Sequence, residues 1–338
     1  MNDSPELLPT SPRSLMGVQI LGVGSYAPEI VVTNEQLALQ GFDAEWIEQR
    51  TGIHERRVAP PHIATSDMAI FAARKCLQVA NVSPKEVDLV IVATFTADVS
   101  VPAAACIVQD RLGITAPAFD LNNGCAGFMF ALVTGMQFVA TGCNRRVLVI
   151  GADATTRVAD PSDIKTFPLF GDGAGAVLLG PGSAEQGMLS YILGSDGSGA
   201  EMLTRRFGGS RHPITADGIL RGDHFLKMDG RSVFKWAVRI VEDSSREVLR
   251  HAGMKVSDLD LVIWHQANTR IMDSAAASLG IERGKLFINL DRYGNTSAAS
   301  IPLAMDEAMQ AGLIGQGSRI LLSGYGAGLA WGTAVLQW

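Results

Sequence analysis

Three residues of different types stand where an α/β protein does chemistry. Cys125 lies in Asp120-Leu-Asn-Asn-Gly-Cys-Ala-Gly-Phe128. Gly124 permits a sharp turn before it, and an apolar helix is expected just after it. A thiol at a helix N-terminus sits at the positive end of the dipole, which is expected to lower its pKa and favour the thiolate. A backbone amide at that place can also face an oxyanion. The plain alternative is a buried inert cysteine, the better reading for Cys76, Cys106 and Cys143. For Cys125 the flanking glycines tilt the balance toward a nucleophile. His265 directly follows the apolar run Asp260–Trp264. The C-terminal end of a parallel strand is where α/β ligands bind. A lone histidine there is more often a hydrogen-bonded core residue. Asn295, in Arg292-Tyr-Gly-Asn-Thr-Ser-Ala-Ala-Ser300, reads as an N-cap when taken alone. A candidate thiolate, an imidazole and an amide raise one another.

The elements that must position them repeat. Asp88-Leu-Val-Ile-Val92 and Asp260-Leu-Val-Ile-Trp264 read as buried parallel strands. A second pair follows, Val147–Gly151 and Ile320–Gly324. The offsets are 147 − 88 = 59 and 320 − 260 = 60. Helical patterns cover Ala103–Leu112, Gly127–Thr141 and Ser232–Ala252. Strands alternating with helices predict an α/β fold, here a duplicated one, with halves at about 16–185 and 186–338. Cys125 lies 125 − 88 = 37 residues beyond its strand marker, and Asn295 lies 295 − 260 = 35 beyond its own. They occupy near-equivalent helix starts that can face one another across the junction, where a site is expected.

Composition narrows the function. The chain has 338 residues and 36 glycines, roughly a dozen more than average usage. With 47% hydrophobic residues and no G-x-y period, this is neither collagen nor disorder. The surplus must let backbone approach backbone or ligand closely. The net charge of −6 argues against nucleic-acid binding. No C-x-x-C or H-x-x-x-H spacing supports a metal site. Residues 1–15 are polar and unlike a signal peptide, and a frayed arm is expected. The 24 uncharged residues between Asp120 and Arg145 are long enough for a bilayer. Their glycines and amides fit a helix buried in a large core better, so a cytoplasmic protein with no membrane partner is expected. Gly22-Val-Gly24-Ser-Tyr-Ala27 matches a dinucleotide fingerprint, but Pro28 follows at once and Glu29–Thr33 reads extended. A strand-to-loop turn is the better reading. P-loop and G-x-S-x-G signals are absent.

Taken together, Gly-Cys125-Ala-Gly-Phe, His265-Gln-Ala-Asn and Gly-Asn295-Thr-Ser-Ala-Ala-Ser resemble the Cys-His-Asn triad of the β-ketoacyl-acyl carrier protein synthase III family. These are the initiating condensing enzymes of fatty acid synthesis, in the thiolase superfamily. The resemblance runs from Val18 to Trp338. It includes Glu45-Trp-Ile, Arg50-Thr-Gly-Ile53, Phe170-Gly-Asp-Gly-Ala-Gly175, Lys227-Met-Asp-Gly-Arg-Ser-Val-Phe234 and Gly324-Tyr-Gly-Ala-Gly328. It implies the five-layered α-β-α-β-α thiolase fold, a homodimer, and acyl-CoA with malonyl-acyl carrier protein as substrates. It implies no cofactor, the CoA thioester being a substrate. By the same resemblance, Cys125 is acylated, His265 and Asn295 hold the malonyl thioester carbonyl, and the amides of Cys125 and Ala327 form an oxyanion hole. Trp46, Arg50 and Thr51 match positions at the CoA adenine end. Phe170, Met228, Gly230, Phe234, Ala267 and Asn268 match the pantetheine tunnel. Lys235 and Arg270 match basic positions at its mouth, where an acidic carrier protein docks.

The chain also departs from the family pattern. Asn122-Asn123-Gly124 precede the nucleophile where many relatives have three alanines. Val101 stands where some relatives carry a Phe that reaches across the dimer to the acyl pocket, which implies a primer longer or more branched than acetyl. Ala277 and Ser278 replace two docking lysines, and Arg205, Arg206 and Arg211, in a Gly-rich loop, either substitute for them or are simply solvated. Three rival functions follow. One is a secondary-metabolic acyltransferase or condensing enzyme of the same fold. A second, more remote, is a cysteine hydrolase using Cys, His and Asn in that chain order. The third is a non-catalytic binding module, which an inert Cys125 would favour.

Overall fold

Leu89–Ala93 and Leu261–Trp264 each sit in the interior of the protein with both faces covered, as short β-rich runs must when no polar residue interrupts them. The computed structural model describes Leu8 and residues 10–338. Each run belongs to a five-stranded mixed sheet. In the first, the order is Val18–Tyr26, Asp172–Pro181, Val147–Ala154, Leu89–Ala93, Ala118–Leu121. In the second it is Arg13–Met16, Gly187–Ser195, Ala330–Gln337, Arg319–Gly326, Leu261–Trp264. Leu89–Ala93 lies parallel to Val147–Ala154, and Leu261–Trp264 lies parallel to Arg319–Gly326. The repeated pairs of the sequence are therefore corresponding neighbours in two sheets.

Alternation along each strand shows how the layers stack. Leu89, Ile91 and Ala93 share one core cluster with Leu261 and Ile263. The same cluster holds Phe128, Met129, Leu132 and Met136 of helix Gly127–Ala140, and Ile301, Ala304, Met305 and Ala308 of helix Ser300–Gln310. These two helices therefore lie between the sheets. Val90 and Val92 face the other way, against helix Thr65–Ala80. Val262 and Trp264 face helices Gly230–His251 and Thr269–Leu279. The result is the five-layered α-β-α-β-α arrangement of the thiolase fold. The uncharged stretch after Asp120 is the buried helix Gly127–Ala140; among the described residues no helix is long and apolar enough to cross a membrane.

Two expectations need correction. The frayed arm is ordered at its end: Arg13–Met16 pairs antiparallel with Gly187–Ser195, and Ser14 Oγ donates to Leu189 O at 2.8 Å. Residues 1–7 and 9 lie outside the described residues. The strand edge offered by Gly187–Ser195 captures this short segment and buries Leu15 in the core, so the polar composition around it was a poor guide. The Gly22–Ala27 turn is also not a turn. Strand Val18–Tyr26 runs through it, and Glu29–Thr33 contributes the extended strand Ile30–Thr33. The glycines are there because a Cβ at Gly22 would meet Cys76 O at 2.8 Å, in the helix packed on that strand.

Candidate active site

Cys125 lies in the short turn Gly124–Ala126, which runs into helix Gly127–Ala140. Gly124 takes φ +51°, a left-handed conformation that only glycine adopts without cost. A Cβ added at Gly326 would come within 2.9 Å of Cys125 Cβ, and one at Gly124 within 3.3 Å of Ala327 Cβ. The absence of side chains thus presses the loop after strand Arg319–Gly326 against the cysteine turn. Cys125, Gly326 and Ala327 all border one cavity of about 520 Å³.

His265 and Asn295 border the same cavity. His265 follows the end of strand Leu261–Trp264, and its backbone N–H donates to Ser323 O at 2.7 Å. Its Nδ1 lies 2.6 Å from Ser300 Oγ, in the helix between the sheets. Burial holds the imidazole far below its ordinary pKa, at about 3, so the ring is neutral. Tyr325 meets the ring edge-on, with centroids 5.2 Å apart. Asn295 ends a loop tied to the first half: its N–H donates to Leu169 O at 2.7 Å, and its carbonyl accepts from Gly171 N at 3.1 Å. Its side-chain Oδ1 accepts the N–H of Ser297 at 2.9 Å, which leaves the NH2 end to face the cavity.

The expected low thiol pKa is not what the site produces. Burial pushes the Cys125 thiol up to about 12, and the nearby Asp153 carboxylate pushes the same way, while the Ser297 hydroxyl opposes them. A helix terminus acts over one turn, and desolvation inside a closed layer outweighs it. The resting cysteine is therefore a thiol.

Phe170, Met228, Gly230, Phe234, Ala267 and Asn268 all border the cavity, as do Asn122 and Asn123. Asn268 spends one donor and one acceptor of its amide on the fold. Its Nδ2 donates to Arg50 O at 3.0 Å, and its Oδ1 caps the next helix at Arg270 N. Trp46, Arg50, Thr51, Lys235, Arg270 and Val101 do not line the cavity. Trp46 and Arg50 are on the surface of helix Ala44–Thr51, which the Asn268 bond pins beside the cavity wall. Thr51 is buried, its hydroxyl donating to Ile47 O at 2.6 Å and accepting from Ile53 N at 3.0 Å. Arg270 stands 5.5 Å over the ring of Phe234, at the rim. Val101 is 85% exposed.

Sequence reasoning missed Ser300, Tyr325, Ser297 and Asp153. The two serines stand within the quoted Asn295–Ser300 string, and their hydroxyls were a signal. Asp153, a lone acid in the apolar strand Val147–Ala154, was another.

The last 90 residues, 249–338, match the family model described as 3-oxoacyl-[acyl-carrier-protein] synthase III C terminal, and 119–197 match the model of 3-oxoacyl-[acyl-carrier-protein] synthase III. A β-ketoacyl-[acyl-carrier-protein] synthase III of Rhodopirellula baltica is 53% identical over 96% of this chain and 99% of its own. The solved 3-oxoacyl-[acyl-carrier-protein] synthase III of Aquifex aeolicus superposes with a TM-score of 0.88 at 40% identity, covering 95% of this chain and 100% of that one. The priming β-ketosynthase of the R1128 polyketide pathway does so at 0.88 and 36%, covering 98% of both.

Proposed function

The chain belongs to the β-ketoacyl-[acyl-carrier-protein] synthase III family, the condensing enzymes that initiate fatty acid synthesis, and we propose how its own residues carry out that reaction. Cys125 attacks the thioester carbonyl of an acyl-CoA primer and takes the acyl group. The backbone amides of Cys125 and Ala327 stabilise the oxyanion. CoA leaves and malonyl-acyl carrier protein enters the same cavity. His265 and Asn295 donate hydrogen bonds to the malonyl thioester carbonyl, and CO2 departs. The resulting enolate attacks the acyl group on Cys125 to give 3-ketoacyl-acyl carrier protein. No cofactor is required, because loss of CO2 supplies the carbon nucleophile.

The single observation that carries this reading is the convergence of Cys125, His265 and Asn295 on one cavity with the imidazole held neutral. A charged imidazolium could donate too, but a buried site makes it costly. Trp46 and Arg50 hold the adenine end of CoA, the indole by stacking and the guanidinium by phosphate contact. Thr51 contributes by fixing the end of their helix. Lys235 and Arg270 attract the acidic carrier protein. Val101, exposed on one chain, reaches an acyl pocket only across a homodimer, and the reaction runs in the cytoplasm.

The polyketide priming enzyme keeps a secondary-metabolic role as the second reading. A panel of acyl-CoAs with malonyl-acyl carrier protein, read by product mass, separates the two through primer choice. Cys125→Ser tests the core of the reading. It should abolish acyl transfer from labelled acyl-CoA, and undiminished transfer would remove the assignment.

A further inference from the structure

We propose that Ser297 and Asp153 form a proton relay for Cys125, taking the thiol proton during acylation and returning it when condensation expels the sulfur. The proposal rests on the reading of Cys125 as the acyl carrier.

Ser297 has an unusual backbone. Its φ is +53°, in the left-handed region that a serine enters only at a cost in strain. Packing imposes it. Gly151 has no side chain, and a Cβ there would collide with the carbonyl oxygen of Ala298. The turn therefore presses directly on the strand that carries Asp153. In this position the Ser297 hydroxyl donates to Cys125 Sγ at 3.4 Å, and it is near enough to the Asp153 carboxyl to oppose the effect of burial on that group. A hydroxyl has one proton and two lone pairs, so it can donate to the carboxylate while accepting the S–H, and then reverse.

Asp153 is fully buried. Its Oδ1 is saturated, accepting Thr94 Oγ1 at 2.9 Å, Phe95 N at 3.0 Å, Thr96 N at 3.2 Å and Thr96 Oγ1 at 2.8 Å. Its Oδ2 accepts the N–H of Ala298 across a longer 3.3 Å. Four donors on one oxygen lock the carboxylate in place and leave the other oxygen as the weaker-bound one. Burial raises the affinity of this carboxyl for a proton, which makes it a better acceptor than an exposed aspartate. His265 is the poorer candidate, because its burial opposes protonation and its donor role needs it neutral.

The protons balance as follows. In acylation the Cys125 S–H bond breaks and its proton joins Ser297 Oγ. The Ser297 proton passes to Asp153. The sulfur forms its bond to the acyl carbon, and CoA leaves as a thiolate that takes a proton from solvent. In condensation the acyl–sulfur bond breaks, and Cys125 leaves as a thiolate. Asp153 then returns its proton through Ser297. One proton is drawn from solvent per turnover, matching the one needed when malonyl loses CO2 and CoA is released.

Ser297→Gly removes the hydroxyl while relieving the left-handed backbone. It should slow single-turnover self-acylation from labelled acyl-CoA about 100-fold, the range of a lost general base. Asp153→Asn should do about the same, and the double variant should be no slower than either single, since a relay fails as a unit. The wild-type acylation rate should fall in D2O with a curved dependence on deuterium fraction, from two protons in flight, and the curvature should vanish in Ser297→Gly. Malonyl-thioester decarboxylation, which bypasses the relay, should fall at least tenfold less than acylation does. Acylation within threefold of wild type in Ser297→Gly, or equal losses in acylation and decarboxylation, overturns the relay and leaves the acyl-Cys125 reading standing. A wild-type protein that does not acylate Cys125 overturns that parent reading, and the relay with it.

Discussion

Nδ1 of His265 and Oγ of Ser300 lie 2.6 Å apart, joining the end of a strand in the second sheet to the helix buried between the sheets. With Nδ1 occupied, Nε2 is the ring nitrogen left to meet a substrate. If the serine O–H donates to Nδ1, the proton of the neutral ring must sit on Nε2. That is the tautomer able to donate to a thioester carbonyl.

Ser300→Ala removes that control. Decarboxylation of malonyl-acyl carrier protein should slow about tenfold, equivalent to roughly 1.4 kcal/mol, in the range of one buried hydrogen bond. Acylation of Cys125 by acyl-CoA should change by less than threefold. Equal losses in both steps, measured by CO2 release and by acyl-enzyme mass, would show that Ser300 merely supports the fold.

The buried imidazole also makes a claim on stability. Its folded pKa is about 3, below the ordinary 6.5, so the unfolded chain binds the proton more readily. Stability from this group is therefore full above about pH 6.5 and declines as the pH falls toward 3, by at most about 1.4 kcal/mol per unit. His265→Gln carries no titrating group. Its melting temperature should fall less steeply than wild type between pH 6 and 4, which thermal unfolding across that range would measure. Parallel curves would contradict the neutral buried ring.

Gly171 and Gly151 hold the second half of the site against the first. A Cβ at Gly171 would meet the carbonyl oxygen of Tyr293, just before Asn295, and one at Gly151 would meet that of Ala298. Either alanine variant should cost about 1–3 kcal/mol from overpacking. Gly171→Ala should also displace Asn295 and depress decarboxylation more than acylation. Chemical denaturation with paired kinetics distinguishes the two effects.

Trp46 is about one-third exposed at 36%, as a stacking platform for a base must be. Trp46→Ala should raise the KM for acyl-CoA about fivefold, near 1 kcal/mol of stacking, with kcat for acylation nearly unchanged. A truncated acyl-pantetheine thioester lacks the adenine and should show no difference between variant and wild type. Equal penalties on both substrates would place Trp46 in packing instead.

Much of this architecture was legible from residue order alone. Leu89–Ala93 and Leu261–Trp264 are buried on both faces, so each reads as an unbroken apolar run, and their near-equal spacing to a second apolar strand exposes the duplication. Cys125, His265 and Asn295 stood out because each adjoins a strand end or a glycine-marked helix start, features that local sequence encodes. Pairing between distant segments was not legible. Arg13–Met16 looks like a loose arm until Gly187–Ser195 offers it an edge. Gly22 looks like a turn until the helix carrying Cys76 packs on it. The sign of the Cys125 pKa shift was decided the same way. The helix dipole is a local quantity that sequence predicts, whereas desolvation depends on which layers close over the sulfur. Whether Asp153 and Ser297 reach Cys125 depends on two sheets and two central helices meeting, and residue order alone does not specify that meeting.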